Sequence, residues 1–221
     1  MGEAVDTFLS LARRLIAAED PALTPLVDHA SVLSVLEDLE ARTRHGVWNM
    51  QRDPRPSTHR VAARLDDRSR SRGIEERSLH PPRAADQPLA TSLEPALRVG
   101  AVPLSLLVAD ERWLVFSPPV SRPAPEYAWY TEDPTLVAAA SAAFLECWEA
   151  SLPWQEAGLR PPLPERRLQV ALLLLDGHSD REIAEELGVS TRTVSAEVRA
   201  IVDWLGARSR SHAVAMLVGA G

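Results

Sequence analysis

The chain has 221 residues, of which 45% are apolar, and a formal net charge of −7. That apolar content rules out wholesale disorder, and the length suits one or two domains. The negative balance argues against binding nucleic acid through bulk charge, because phosphate contacts need cations, so any such binding must rest on where the cations sit.

Residues 3–18 place Val5, Phe8, Leu9, Ala12, Leu15 and Ile16 at helical spacing, and Asp20-Pro21 ends that helix. Thr24-Pro25 reads as the start of a second helix, with Thr as cap and Pro in the first turn, running through Leu26, Leu33, Leu36 and Leu39 to about Arg44. Gly46 closes it, and Val47–Met50 is a short strand. Residues 52–77 are rich in arginine (positions 52, 55, 60, 64, 68, 70, 72 and 77), offset by Asp53, Asp66, Asp67, Glu75 and Glu76. The simplest reading is a solvated helix over Thr58–Ser71 with charge pairs on its outer side; a basic face for nucleic acid or a phosphorylated ligand is the sharper one. The chain contains no lysine, so all its basic residues are arginine; a GC-rich genome accounts for this better than selection for phosphate contacts does.

Ile74–Leu79 is a strand, followed by the loop His80-Pro-Pro-Arg83 and a weak helix over Gln87–Leu97. Arg98–Ala101, Leu104–Val108 and Trp113–Phe116 are short strands, the last two joined by an Asp110-Glu111-Arg112 turn. Prolines at 118, 119, 123 and 125 interrupt the pattern, and Tyr127–Tyr130 is an edge strand. Asp133-Pro134 opens a strong helix carrying Leu136, Ala140, Ala143 and Cys147 on one face. As the only cysteine, Cys147 excludes an internal disulfide and points to a reducing compartment. Residues 150–163 are rich in proline and read as a stiff, extended linker between residues 1–149 and 164–221.

Beyond the linker the pattern turns wholly helical. One helix spans about Glu165 to Leu175 and stops at Gly177. Ser179 caps the next, with Glu182 completing a capping box and Ile183, Ala184 and Leu187 on the buried side. Gly188 turns the chain, Ser190 caps a third helix, and Val194, Val198, Ile201, Val202 and Leu205 form its apolar stripe. A helix, a glycine turn and a longer helix with small polar residues at its start make a helix-turn-helix. The fold class is therefore an α/β N-terminal domain followed by an all-α, four-helix C-terminal domain.

This C-terminal stretch resembles the DNA-binding domain of LuxR/GerE-type transcription regulators. The resemblance is carried by Asp176-Gly177-His178-Ser179, Glu182-Ile183-Ala184, Leu187-Gly188-Val189-Ser190, Thr193-Val194 and Leu205-Gly206-Ala207-Arg208-Ser209-Arg210. It implies that the helix starting at Ser190 lies in a major groove. The DNA-facing set is then Ser190, Thr191, Arg192, Thr193, Val194, Ser195, Ala196 and Arg199, with phosphate contacts from Ser179 and Arg181 and further contacts from Arg208 and Arg210. It also implies a last helix over Ser211–Val218 that pairs two subunits through Ala213, Val214, Leu217 and Val218. Ser195 and Glu197 depart from the family, which often carries basic or imidazole side chains there. The module holds seven arginines against eight acids over residues 164–221, which predicts modest non-specific affinity.

Residues 24–150 alternate helices and strands and are similar to phospholipase-D-like regulatory domains, on strand–helix–strand order, Ser71-Arg72-Gly73 and Leu104–Phe116. The catalytic form of that fold needs His-x-Lys before an aspartate. Counting back from Asp110, this chain has Pro103 and Ser105 at those places, so phosphodiesterase chemistry by that motif is not expected, and Asp110 reads as a turn residue. No metal spacing, phosphate loop or nucleophile elbow is present, so no cofactor is expected. With no signal peptide and no apolar run of about 20 residues, the expected setting is the cytoplasm, away from membranes. The leading expectation is a sequence-specific transcription regulator that binds double-stranded DNA as a homodimer, its N-terminal domain serving for sensing, dimerisation or partner binding, with any small-molecule effector unidentified. The alternative is a helix-turn-helix protein that acts mainly through protein contacts, dimerisation or docking on RNA polymerase.

Overall fold

The computed structural model describes residues 2–52, 56–85, 87–117 and 128–219. Asp53, Arg55, the four prolines at 118, 119, 123 and 125, and Tyr127 lie outside them. In chain order the elements are α1 (Glu3–Ala17), β1 (Thr24–Leu26), α2 (His29–Arg42), β2 (Gly46–Met50), α3 (Pro56–Ser71) and β3 (Glu75–His80). They continue with the single turns α4 (Pro82–Ala85) and α5 (Ala90–Leu93), then β4 (Arg98–Val99), β5 (Ser105–Ala109), β6 (Trp113–Ser117), β7 (Ala128–Thr131), α6 (Pro134–Glu149) and β8 (Leu152–Pro153). Four helices finish the chain: α7 (Glu165–Leu175), α8 (Asp180–Leu187), α9 (Thr191–Leu205) and α10 (Arg210–Leu217).

The strands form one mixed sheet in the order β1-β7-β6-β5-β2-β3-β4-β8. β2, β3 and β4 run parallel, and the remaining pairings are antiparallel. Strand alternation divides the side chains between two helical layers. On one face Met50, Leu106, Val108, Leu114 and Phe116 bury against Phe8, Ala12, Ala140 and Phe144 of α1 and α6. On the other, Ala109, Trp113, Val115 and Ala128 pack under Val32, Val35, Leu36 and Leu39 of α2. α3 lies beside α2 on this second face. Between these two helices and the sheet is a cavity of about 120 Å³.

The β5–β6 hairpin depends on Asp110 and Glu111, both with φ near +50°. Two left-handed residues in a two-strand turn match the right-handed twist of the strands, and aspartate tolerates this conformation better than most side chains. The Asp110 carboxylate also accepts the backbone N–H groups of Arg44, His45 and Gly46 at 2.8, 2.8 and 3.0 Å. It thereby ties the start of β2 to the end of β5. Burial alone would raise its pKa; those three donors outweigh burial and hold it below the usual carboxylate range. Its role is structural, as a turn residue.

Four local expectations need correction. Thr24-Pro25 opens β1, not a helix: Thr24–Leu26 pair with Tyr130–Ala128, and the helix begins later, where Asp28 caps it by accepting Ser31 N–H at 2.7 Å. β7 is not an edge strand, because β1 and β6 flank it. Only Ala90–Leu93 of the expected helix over Gln87–Leu97 is helical. Residues 150–163 are not an extended spacer. Leu152 and Pro153 close the sheet on β4, Ala157 N–H turns back to Pro153 O at 3.0 Å, and Trp154, Ala157 and Leu159 pack on Leu97 and Val99. Apolar side chains between the prolines dock the segment, which proline content alone does not reveal.

The C-terminal helices have their own core and rest on α5. Leu89 and Leu93 join the cluster of Leu163, Val170, Leu174, Ile183 and Ile201. Ser92 Oγ accepts Leu163 N–H at 2.9 Å, and the Arg160 guanidinium donates to Trp204 O at 2.7 Å.

Candidate nucleic-acid interface

Helix α9 is fixed by local chemistry at each end of the turn before it. Ser179 Oγ accepts Glu182 N–H at 3.3 Å, while Glu182 accepts Ser179 N–H at 2.7 Å. The Ser179 backbone N–H first, and its hydroxyl, which donates to the same carboxylate at 2.7 Å, second, hold the Glu182 carboxyl below its usual range. Gly188 ends α8 in the left-handed region at φ +63°, where a Cβ would be strained. Ser190 then caps α9, its Oγ accepting Thr193 N–H at 3.1 Å. The stripe Val194, Val198, Ile201 and Leu205 is buried against α7, α8 and α10.

Burying that stripe turns the opposite edge of α9 outward. Thr191, Arg192, Ser195, Ala196 and Arg199 are exposed and Thr193 is half-buried; the sheet domain does not cover them. Val194 is the exception among the residues expected to face DNA. It is fully buried, because it belongs to the core stripe, and it can act on DNA only by positioning its neighbours. Ser179, Arg181, Ser190 and Arg208 are exposed. Arg181 lies along its own helix, 2.9 Å from Glu185. Arg210 is drawn inward: it pairs with Asp180 and donates to His178 O at 2.7 Å, which bolts α10 onto the start of α8.

The two departures from the family pattern have local explanations. Ser195 Oγ donates to Asp180 at 2.8 Å, adding α9 to the Asp180–Arg210 clasp. Glu197 points sideways to α7, where Arg167 Nε meets it at 2.9 Å. The acids of the module are therefore largely engaged within it. Arg192, Arg199 and Arg208 form no ion pair with another described residue, so cations are left on the exposed edge despite the negative sum.

In the last helix, Ala213 and Leu217 are buried in the domain's own core and cannot meet a second subunit. An apolar stripe announces burial without saying by what. Val214 is half-buried and packs on the rim of the same core, and Val218 is 43% exposed.

Sequence reasoning missed a set of ionisable groups in the N-terminal domain. His80 is fully buried 3.2 Å from Glu94, and Asp66 and Glu76 line the cavity under α2 and α3. The only hint was an acid-and-arginine alternation that a solvated helix shows equally well. Ser105 Oγ accepts Arg52 N–H at 3.0 Å. Among the described residues, no group of three histidines, cysteines or acids could hold a metal ion, and no helix is long and apolar enough to cross a membrane.

No curated protein matches the chain. Solved structures that match the chain include the following three. NucT from Helicobacter pylori is 15% identical with a TM-score of 0.48, over 59% of this chain and 96% of that one. TrmBL2, an archaeal chromatin protein whose structure shows a novel mode of DNA binding, is 16% identical with a TM-score of 0.47, over 68% of this chain and 62% of that one. The phage VqmA–DPO complex is 20% identical with a TM-score of 0.28, over 49% and 48%. The family described as "Bacterial regulatory proteins, luxR family" matches residues 161–217, a span that begins just before Leu163 and ends at the last residue of α10. Residues 161–217 form a helix-turn-helix domain of that luxR family.

Proposed function

We propose that the protein is a DNA-binding transcription regulator that reads a major groove with the N-terminal half of α9. The observation that carries this reading is the exposed edge Thr191, Arg192, Ser195, Ala196 and Arg199, with both arginines unpaired by described residues, on a helix whose other side is locked in a core. A guanidinium there can bond two acceptors of a guanine edge, a contact worth about 1–3 kcal/mol of discrimination. The exposed start of α8, with Ser179 and Arg181, suits a neighbouring phosphate. Arg208 suits the flanking backbone.

In this reading two copies pair through the outer side of α10, with Val214 and Val218 at the contact, and bind half-sites about one helical turn apart. The sheet domain, with Pro103 and Ser105 where the nucleophile and phosphate-binding lysine would stand, serves regulation and not phosphodiester hydrolysis. Docking of the helical domain on RNA polymerase is the second reading. A serine and a glutamate at 195 and 197, in place of cations, would favour it, and both are engaged within the domain, by Asp180 and Arg167. Footprinting on the gene's own upstream region tests the choice. A protected pair of half-sites is the expected result; a protein that protects no DNA, there or in genome-wide mapping of bound sites, acts through protein contacts instead.

A further inference from the structure

The hydroxyl of Ser195 stands on the outward edge of α9, one helical turn after Arg192 and one before Arg199. Its proton is already committed: Ser195 Oγ donates to Asp180 Oδ2 at 2.8 Å. Asp180, in the first turn of α8, gives its other oxygen, Oδ1, to the Arg210 guanidinium, which also donates to His178 O at 2.7 Å. A carboxylate gripped by a guanidinium has acceptors and no proton to give, so the serine has to be the donor. What Ser195 keeps for a ligand is its oxygen lone pairs, and among the described residues no donor reaches them. A free serine hydroxyl rotates and meets donors and acceptors alike; this one is left as an acceptor.

We propose that Ser195 is a specificity-determining residue that recognises an exocyclic amino group, N4 of a cytosine or N6 of an adenine, and that Asp180 and Arg210 are the positioning residues that impose this choice. This rests on α9 lying in the major groove. There the cytosine and adenine amino groups are the donors, while guanine O6 and thymine O4 are acceptors. Arg192 and Arg199 carry donors alone, so they select acceptors. One edge of α9 thus offers donor, acceptor, donor in three successive steps, and the favoured half-site carries an amino-bearing base between bases that present acceptors. The same clasp answers the charge of Asp180, because with Arg210 beside it the phosphates near α8 do not meet a bare carboxylate.

Asp180→Asn is the discriminating variant. Arg210 has no acceptor, so it holds the amide oxygen and turns the amide NH2 toward Ser195. Ser195 then accepts from that amide, its own proton is released to the groove, and its preference passes to a carbonyl. The test is selection by the full chain from a library of random duplexes, then equilibrium binding to the selected site and its base analogues. Ser195→Ala and Asp180→Asn run beside the natural protein, with circular dichroism confirming that both fold. Ser195→Ala should lose about threefold to tenfold of discrimination at one base pair of each half-site and none elsewhere, the worth of one hydrogen bond. At that position Asp180→Asn should prefer guanine or thymine where the natural protein prefers cytosine or adenine; a merely structural loss, equal on every sequence, produces no such exchange. Deleting the amino group there (purine for adenine, 2-pyrimidinone for cytosine) should weaken the natural protein by the same factor and leave Ser195→Ala unaffected. The proposal is overturned if Ser195→Ala alters no position, if Asp180→Asn weakens every sequence equally, or if an analogue scan of the whole site with the natural protein alone finds no amino group whose loss is felt. Each of these leaves the major-groove reading standing, whereas a library that the natural protein does not enrich ends both.

Discussion

Replacing Asp66 by asparagine should stabilise the sheet domain, and increasingly so as pH rises. Asp66 lines the cavity under α3, where burial, with Glu94 and Glu76 adding to it and Arg70 opposing, pushes its pKa up to about 8 from an ordinary 3.8. The folded chain thus holds a proton that the unfolded chain releases at low pH. Stability tied to this group is fully present below the unfolded value and is lost as pH rises through the folded one. Across that window the slope is about 1.4 kcal/mol per pH unit, so going from about pH 5.5 to about 7.5 should lower the unfolding free energy by about 3 kcal/mol. The whole window sets an upper limit of about 6 kcal/mol. Asparagine keeps the shape but carries no titration, so the variant should lack this slope. Urea unfolding followed by tryptophan fluorescence at several pH values measures it; Trp48, Trp113, Trp129 and Trp148 all report on the sheet domain. Unfolding free energies of the variant and the natural protein that run parallel from pH 5 to pH 8 would refute the reasoning.

Three further outcomes follow from packing. Val194→Ala removes two methyl groups from a fully buried site and should cost about 2–3 kcal/mol of stability, while operator affinity below the melting range stays unchanged. A selective loss of DNA affinity would put Val194 back on the reading surface. Asp110→Ala strips three backbone N–H groups of their acceptor and leaves alanine at φ +51°, so a loss of about 2–4 kcal/mol is expected in denaturant titration. An unchanged midpoint would show that the tie between β2 and β5 contributes little. Val218→Asp should convert a dimer to a monomer in sedimentation equilibrium without lowering Tm, whereas Leu217→Asp should unfold the helical domain; the reverse pattern would contradict the assignment of faces on α10.

The parts of the fold legible in the sequence are those set by neighbours along the chain. The Ser179–Glu182 box, the left-handed Gly188, the Ser190 cap and the stripe from Val194 to Leu205 all lie within one or two helical turns of their partners, and each formed as read. What stayed hidden depends on distant partners. β1 is three residues long and exists because β7, about a hundred positions later, pairs with it. The prolines of residues 150–163 conceal Trp154 and Leu159, whose docking makes the segment part of the sheet domain's surface. The arginine-rich helix α3 reads as solvated because its charge pattern does not reveal that Asp66 faces inward, nor that Arg70 and Arg72 reach other elements, to Glu76 and Glu40. On α9 the exposed edge is legible from the stripe opposite it, while Val194, Ala213 and Leu217, which the family resemblance places against partners, lie in the domain's own core.

In the proposed function the outward edge of α9 reads base sequence. Equilibrium binding of Arg192→Ala to the mapped operator and to random duplex of equal length, at matched salt, tests it most directly. A loss of about 1–3 kcal/mol is expected on the operator with little change on random DNA, against a uniform loss on both for Arg208→Ala. A folded Arg192→Ala protein that binds the operator as tightly as the natural chain would contradict it.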